Sequence, residues 1–186
     1  SVLRKADHDP KTPELFLSCG FPIASCQVKI LDNDDQEVAT GEAGEICVRA
    51  SHVMAEYWKR PDITAETLRS GWLHTGDIAR KDERGYMFIL DRKKDMIVSG
   101  GFNIFPREVE DVLSTHEAVG QVVVIGVPDE QWGEAVKAVI VLKPNFTASD
   151  ELVSSMQALV KKAKGSVQSP KSIDFVPGIP LTPVGK

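Results

Sequence analysis

The residues with the clearest chemical potential fall in three short segments. In Gly71-Trp72-Leu73-His74-Thr75-Gly76-Asp77, a tight Thr-Gly-Asp turn can aim one carboxylate outward with little steric cover. An ionised carboxylate accepts paired hydrogen bonds, which suits the adjacent hydroxyls of a ribose; read from the tripeptide alone, Asp77 could equally close a β-turn. The run Asp91–Pro106 holds five consecutive charged residues and then Gly100-Gly101, a pair that lets the backbone approach a narrow ligand closely or simply turns between strands. No third glycine follows at the spacing of a dinucleotide-binding fingerprint. The third segment runs from Pro177 to Lys186. Its Gly185-Lys186 is not a phosphate loop: Gly178 stands too far away, Pro180 and Pro183 remove backbone donors, and no hydroxyl residue follows the lysine. What remains is a stiff strap presenting one lysine, or a frayed end.

Other sets carry less. The four histidines, His8, His52, His74 and His116, show no metal-ligand spacing and read as surface or turn residues. No Ser/His/Asp or Cys/His set is identifiable. Four lysines between positions 161 and 171 suit either a solvated helix end or an anion site.

These segments need elements to hold them. Cys26–Leu31 and Glu45–Arg49 read as strands, Pro61 starts a short helix that Gly71 closes, and Trp72–Leu73 and Tyr86–Leu90 read as short strands. Five charges in a row cannot enter a core without a heavy desolvation cost, so a domain boundary falls at 91–94. Beyond it, Asn103 and Pro106 introduce a helix with Val109, Val112 and Leu113 on one face. Two β-branched strands follow, Gln121–Val127 and Val136–Leu142. A helix capped by Thr147-x-x-Asp150 and stopped by Gly165 comes next, then a strand at Ser172–Val176. The pattern predicts an α+β fold, with a β-rich first part and a small α+β domain from 95 to 186.

Composition bounds the function. The chain has 186 residues with 42% hydrophobic and 26% charged, a globular balance. A net charge of −5 removes the electrostatic case for nucleic-acid binding. No apolar run approaches a membrane span and no secretory leader is recognisable. Three cysteines, an odd number without a CxxC pair, point to a reducing, cytoplasmic setting.

Taken in order, several motifs resemble the adenylate-forming superfamily of acyl-CoA synthetases, firefly-type luciferases and peptide-synthetase adenylation domains. They are Gly44-Glu45-Ile46-Cys47-Val48-Arg49, Glu56-Tyr57-Trp58, Trp72–Asp77, Asp91–Glu110, Val127-Pro128-Asp129 with Trp132-Gly133-Glu134, Ser169-Pro170-Lys171, and Pro180 with Gly185-Lys186. Asp91–Pro106 is most similar to the fatty-acyl-CoA ligase branch.

The resemblance implies that ATP and a carboxylate give an acyl-adenylate and pyrophosphate, after which coenzyme A displaces AMP to form a thioester. It implies Mg2+ as an accompanying ion and no resident metal site. It gives Asp77 the ribose hydroxyls, Arg92 a nucleotide contact, Lys94 the hinge of a rotating small domain, and Gly100 and Gly101 the coenzyme A passage. It gives Lys186 the bridge between substrate carboxylate and α-phosphate. It also implies that residues 1–90 end a large domain, in a β-barrel-like subdomain, whose phosphate loop and acyl pocket are not in these 186 residues. The chain is then the C-terminal portion of a ligase for a fatty or related acid, inactive alone. Glu56, Asp91, Phe102 and Leu181 depart from the family's usual residues. A carrier-protein-loading or luciferase-like enzyme, and a non-catalytic binding module, stay open.

Overall fold

A computed structural model describes residues 1–180. It divides into two compact units, Ser1–Lys94 and Asp95–Lys186, each with its own sheet.

In the first unit, strands β1 (Cys26–Leu31) and β2 (Ala43–Ala50) precede helix α1 (Pro61–Thr67). Strands β3 (Leu68–Arg69), β4 (Trp72–Lys81) and β5 (Met87–Arg92) follow. All neighbours are antiparallel in the order β1-β2-β4-β3, and β5 also lies on β4. Ser70 and Gly71 both take positive φ, the two-residue hairpin geometry that matches strand twist. Ile30, Ile46 and Ala79 form the buried centre of this sheet, with Val28, Val38 and Val48 against it. The segment before β1 is fastened by Asp7, whose carboxylate accepts from Arg4 and from the Tyr86 hydroxyl.

Where the sequence suggests a short strand ending at Leu73, the structure has one ten-residue strand, β4, with the Thr-Gly-Asp tripeptide inside it. The tripeptide is therefore a bulge rather than a β-turn. On β2, Glu45 pairs with Ile78 and Cys47 with His74, so Thr75, Gly76 and Asp77 together oppose the single residue Ile46. Such a bulge pushes its residues out of the ladder without ending the strand. Gly76 supplies the φ of +74° it requires.

The second unit begins with β6 (Ile97–Ser99), β7 (Phe102–Ile104) and helix α2 (Pro106–Ser114). It continues through β8 (Val119–Asp129), β9 (Gly133–Leu142), α3 (Asp150–Lys164) and β10 (Ser172–Phe175). The order is β10-β9-β6-β7 with β8 on β9; β10 runs parallel to β9 and the rest are antiparallel. One apolar cluster holds it together, including Ile97 and Ile104 from the first hairpin, Val109 and Leu113 from α2, Ile140 from β9, and Met156 and Val160 from α3. The α+β class and the α2 face agree with the sequence. Two details differ. Residues 102–104 form a strand instead of leading into the helix, because β6 offers them a ladder. The N-cap of α3 is Ser149, whose hydroxyl accepts from Leu152 N–H; the helix starts at Asp150, too late for Thr147 to cap it.

Candidate functional site

The bulge and the end of β5 bring two predicted residues together. Asp77 and Arg92 are direct partners in the β4–β5 register, and Arg92 Nε stands 2.9 Å from Asp77 Oδ1. Both side chains reach solvent, so the pair is a polar surface able to receive a ligand. Among the described residues nothing accepts a hydrogen bond from the two terminal nitrogens of Arg92, whose fork has the geometry to hold phosphate oxygens. Asp77 keeps its second oxygen, to which no group among the described residues donates.

Beside this pair lies a cleft of about 500 Å³ lined by residues that include Tyr57, Arg69, Thr75, Gly76, Arg92 and Lys94. Four cations (Arg69, Arg92, Lys93 and Lys94) against two glutamates (Glu45 and Glu66), with the Tyr57 ring, give that volume a net positive lining that suits an anionic ligand. Lys94 lines the cleft from the short 3-10 turn Lys93–Asp95 that follows β5.

A buried polar network lies under the bulge, and the sequence did not point to it. Glu45 is 5% exposed. Its Oε1 accepts from Gly76 N–H at 3.0 Å, and its Oε2 from Lys93 Nζ at 3.0 Å and His74 Nδ1 at 3.1 Å. Burial opposes the charge on Glu45, but the bonds from His74, Lys93 and the Gly76 amide outweigh it, and its pKa lies below the ordinary range. An ionised Glu45 only accepts, so His74 carries its proton on Nδ1. His74 is itself buried at 7% exposure, which corrects its reading as a surface or turn residue. It sits on β4 facing Glu45 and Cys47 of β2, a contact that only the strand register creates. Thr75 Oγ1 donates to Ile46 C=O and accepts from Asp77 N–H, fixing the bulge from inside.

Glu45, Cys47 and His74 offer ligand atoms within 4.8 Å of one another. The chemistry argues against a metal there. Burial, then the Glu45 charge, pushes the Cys47 thiol up to about 12, and Lys93 already holds the carboxylate. A metal would have to displace that ammonium and strip a reluctant thiol. The hard, oxygen-seeking Mg2+ does not fit a thiol and imidazole either.

Gly100 and Gly101 form the turn between β6 and β7 in the second unit, with φ of +57° and +83°. Their surroundings differ. Gly100 N–H donates to Trp132 C=O, and a Cβ on Gly100 would come within 2.7 Å of the indole, whereas a Cβ on Gly101 would meet nothing within 4 Å. A cavity of about 170 Å³ is lined by Gly100, Phe102, Trp132, Val167 and Lys171. Lys186 lies outside the described residues.

Comparison with known proteins agrees with this architecture. The family described as "AMP-binding enzyme" matches residues 2–58, and "AMP-binding enzyme C-terminal domain" matches residues 108–186. The chain is 51% identical over 190 residues to the medium/long-chain-fatty-acid–CoA ligase FadD8 of Mycobacterium tuberculosis, covering 100% of this chain and 33% of that protein. It is 46% identical over 169 residues to a long-chain-fatty-acid–CoA ligase of Salmonella typhimurium, covering 91% of this chain and 29% of that one. Among solved structures, the amide bond synthetase McbA of Marinactinospora thermotolerans superposes with a TM-score of 0.83 at 36% identity, over 97% of this chain and 36% of that one. The chain thus spans about a third of the length of these relatives. Among the described residues, no helix is long and apolar enough to cross a membrane.

Proposed function

Because this chain belongs to the AMP-binding, adenylate-forming enzyme family, we propose that it forms part of an AMP-forming ligase joining a medium- or long-chain fatty acid to coenzyme A. The observation that carries this is the Asp77–Arg92 pair beside a cationic cleft. In the first step a carboxylate oxygen attacks the α-phosphorus of ATP and pyrophosphate leaves. In the second, the coenzyme A sulfur attacks the acyl carbon, the thiol proton is lost, and AMP leaves.

Each proposed residue has a physical task. Asp77 accepts from the ribose hydroxyls through its free oxygen, while Arg92 holds its other oxygen and turns its terminal nitrogens to the nucleotide phosphate. Lys186 stabilises charge building on the α-phosphate; a positioned cation of this kind is commonly worth about 3 kcal/mol. Lys94 is the pivot on which the small domain turns between the two steps. Gly101 gives a pantetheine arm room at the β6–β7 turn, since nothing lies within 4 Å of where its Cβ would be. Mg2+ would arrive on the triphosphate and neutralise its charge. Three free thiols suit a reducing cytoplasm.

The test is a half-reaction pair in the intact ligase. Lys186→Ala is expected to abolish acid-dependent pyrophosphate exchange with ATP while thioester formation from supplied acyl-adenylate stays within a few-fold of normal. Equal loss in both steps would show that the lysine is not specific to adenylation. Failure of the unmodified enzyme to make acyl-CoA from any fatty acid would overturn the ligase reading. The 186 residues alone are expected to make none.

A further inference from the structure

Glu45 touches neither the exposed face of Asp77 nor that of Arg92, yet it is bonded to the neighbour of each. One oxygen holds the Gly76 amide, in the bulge that carries Asp77; the other holds Lys93 Nζ, next after Arg92. The two segments lie on the paired strands β4 and β5, and Glu45 reaches them from β2, its bond to Lys93 spanning 48 residues. We infer that Glu45 is a positioning residue that clamps the Thr75–Asp77 bulge and the Arg92–Lys93 segment to one buried carboxylate, so that the two nucleotide-facing side chains move as one body and any pivoting begins after Lys93.

The geometry supports the clamp in three ways. Glu45 stands at the register break, where the three bulge residues face one residue of β2, so its side chain turns under the bulge rather than pairing across it. Both of its oxygens are used, and the Oε2 partners are charge-assisted or ring donors, the stronger kind of hydrogen bond. A second cation, Arg69, stands 3.8 Å from Oε2 and holds Asp35 at 3.3 Å, bracing the same carboxylate from β3. Lys93 itself is one-third exposed, so it can be replaced without opening the core. Asp77 and Arg92 are also joined by the β4–β5 ladder and by their surface ion pair, which is weak by itself; the buried carboxylate adds a tie from β2 beneath the bulge, where the ladder is broken.

This inference deepens the ligase reading and depends on it only for its kinetic arm. In the intact ligase, Lys93→Met is expected to raise the KM for ATP about tenfold with kcat within about twofold, the signature of lost positioning rather than lost chemistry. It is also expected to speed amide hydrogen exchange across residues 74–77, followed by mass spectrometry without nucleotide. Lys93→Arg, which can still donate to the carboxylate, should return both values to within about twofold of the original. Unchanged exchange in Lys93→Met, a KM rise without faster exchange, or an arginine variant as impaired as the methionine one would each overturn the clamp. If the unmodified enzyme shows no ATP-dependent turnover, the ligase reading fails, while the exchange comparison still decides the role of Glu45.

Discussion

Asp7 is 6% exposed and still charged because donors surround it. Hydrogen bonds from the Arg4 guanidinium lower its pKa most, burial raises it, and the Tyr86 hydroxyl and Arg4 amide lower it further, from 3.8 to about 2. A carboxylate depressed in the folded state adds stability above its unfolded pKa and loses it as pH falls toward the folded value. Stability should therefore drop between about pH 4 and pH 2, and Asp7→Asn should flatten that part of the curve, measured by denaturant unfolding at stepped pH. Cys47 gives the opposite case. With 0% exposure and its thiol pushed up to about 12, it should resist iodoacetamide at neutral pH until the protein unfolds, whereas the partly exposed Cys26 should react, as peptide mapping will show. Asp77 and Arg92 were legible through the family resemblance of the motifs in which they stand, and the β4–β5 register sets them side by side. Glu45, His74 and Lys93 were not, since what makes them a cluster is the meeting of β2, β4 and the end of β5, and no local spacing encodes that meeting.

At the scale of elements, α2 and α3 announce themselves through periodicity and stops, and the structure places Val109 and Leu113 at 0% exposure. Leu113→Ala should cost about 2–5 kcal/mol, the range for a fully buried leucine whose cavity only partly collapses, read from the midpoint and slope of urea unfolding. The bulge in β4 was not legible, because alternation of apolar and polar residues does not reveal where a strand swallows extra residues. The β6–β7 turn looked like two equivalent glycines, and space separates them. Gly100→Ala must move an indole as well as strain the backbone, while Gly101→Ala faces only its positive φ. The first should lower the melting temperature more than the second, and equal losses would mean that Trp132 yields freely.

The whole molecule is two units that each bury their own apolar residues. The larger cluster lies in the second unit, so residues 95–186 expressed alone should fold, giving dispersed amide resonances and a cooperative melt. Lys94→Pro tests the proposed pivot. Fixing φ there should impair one half-reaction of the intact ligase at least tenfold and spare the other, and equal kinetics in both steps would remove Lys94 from that role. In the sequence a boundary falls at 91–94 because five adjacent charges have no apolar place to go, and Lys93 departs from that reasoning by reaching a buried partner.

Among the described residues every strand ladder closes within its own unit: β1 to β5 pair only among themselves, and β6 to β10 likewise. A cut and splice at the Lys94–Asp95 peptide would leave no strand without its neighbour. Two relatives could trade their downstream halves at that bond and each hybrid would inherit intact sheets. The trade would leave the carboxylate under the bulge with both its Gly76 and Lys93 donors, because all three residues lie upstream of the splice.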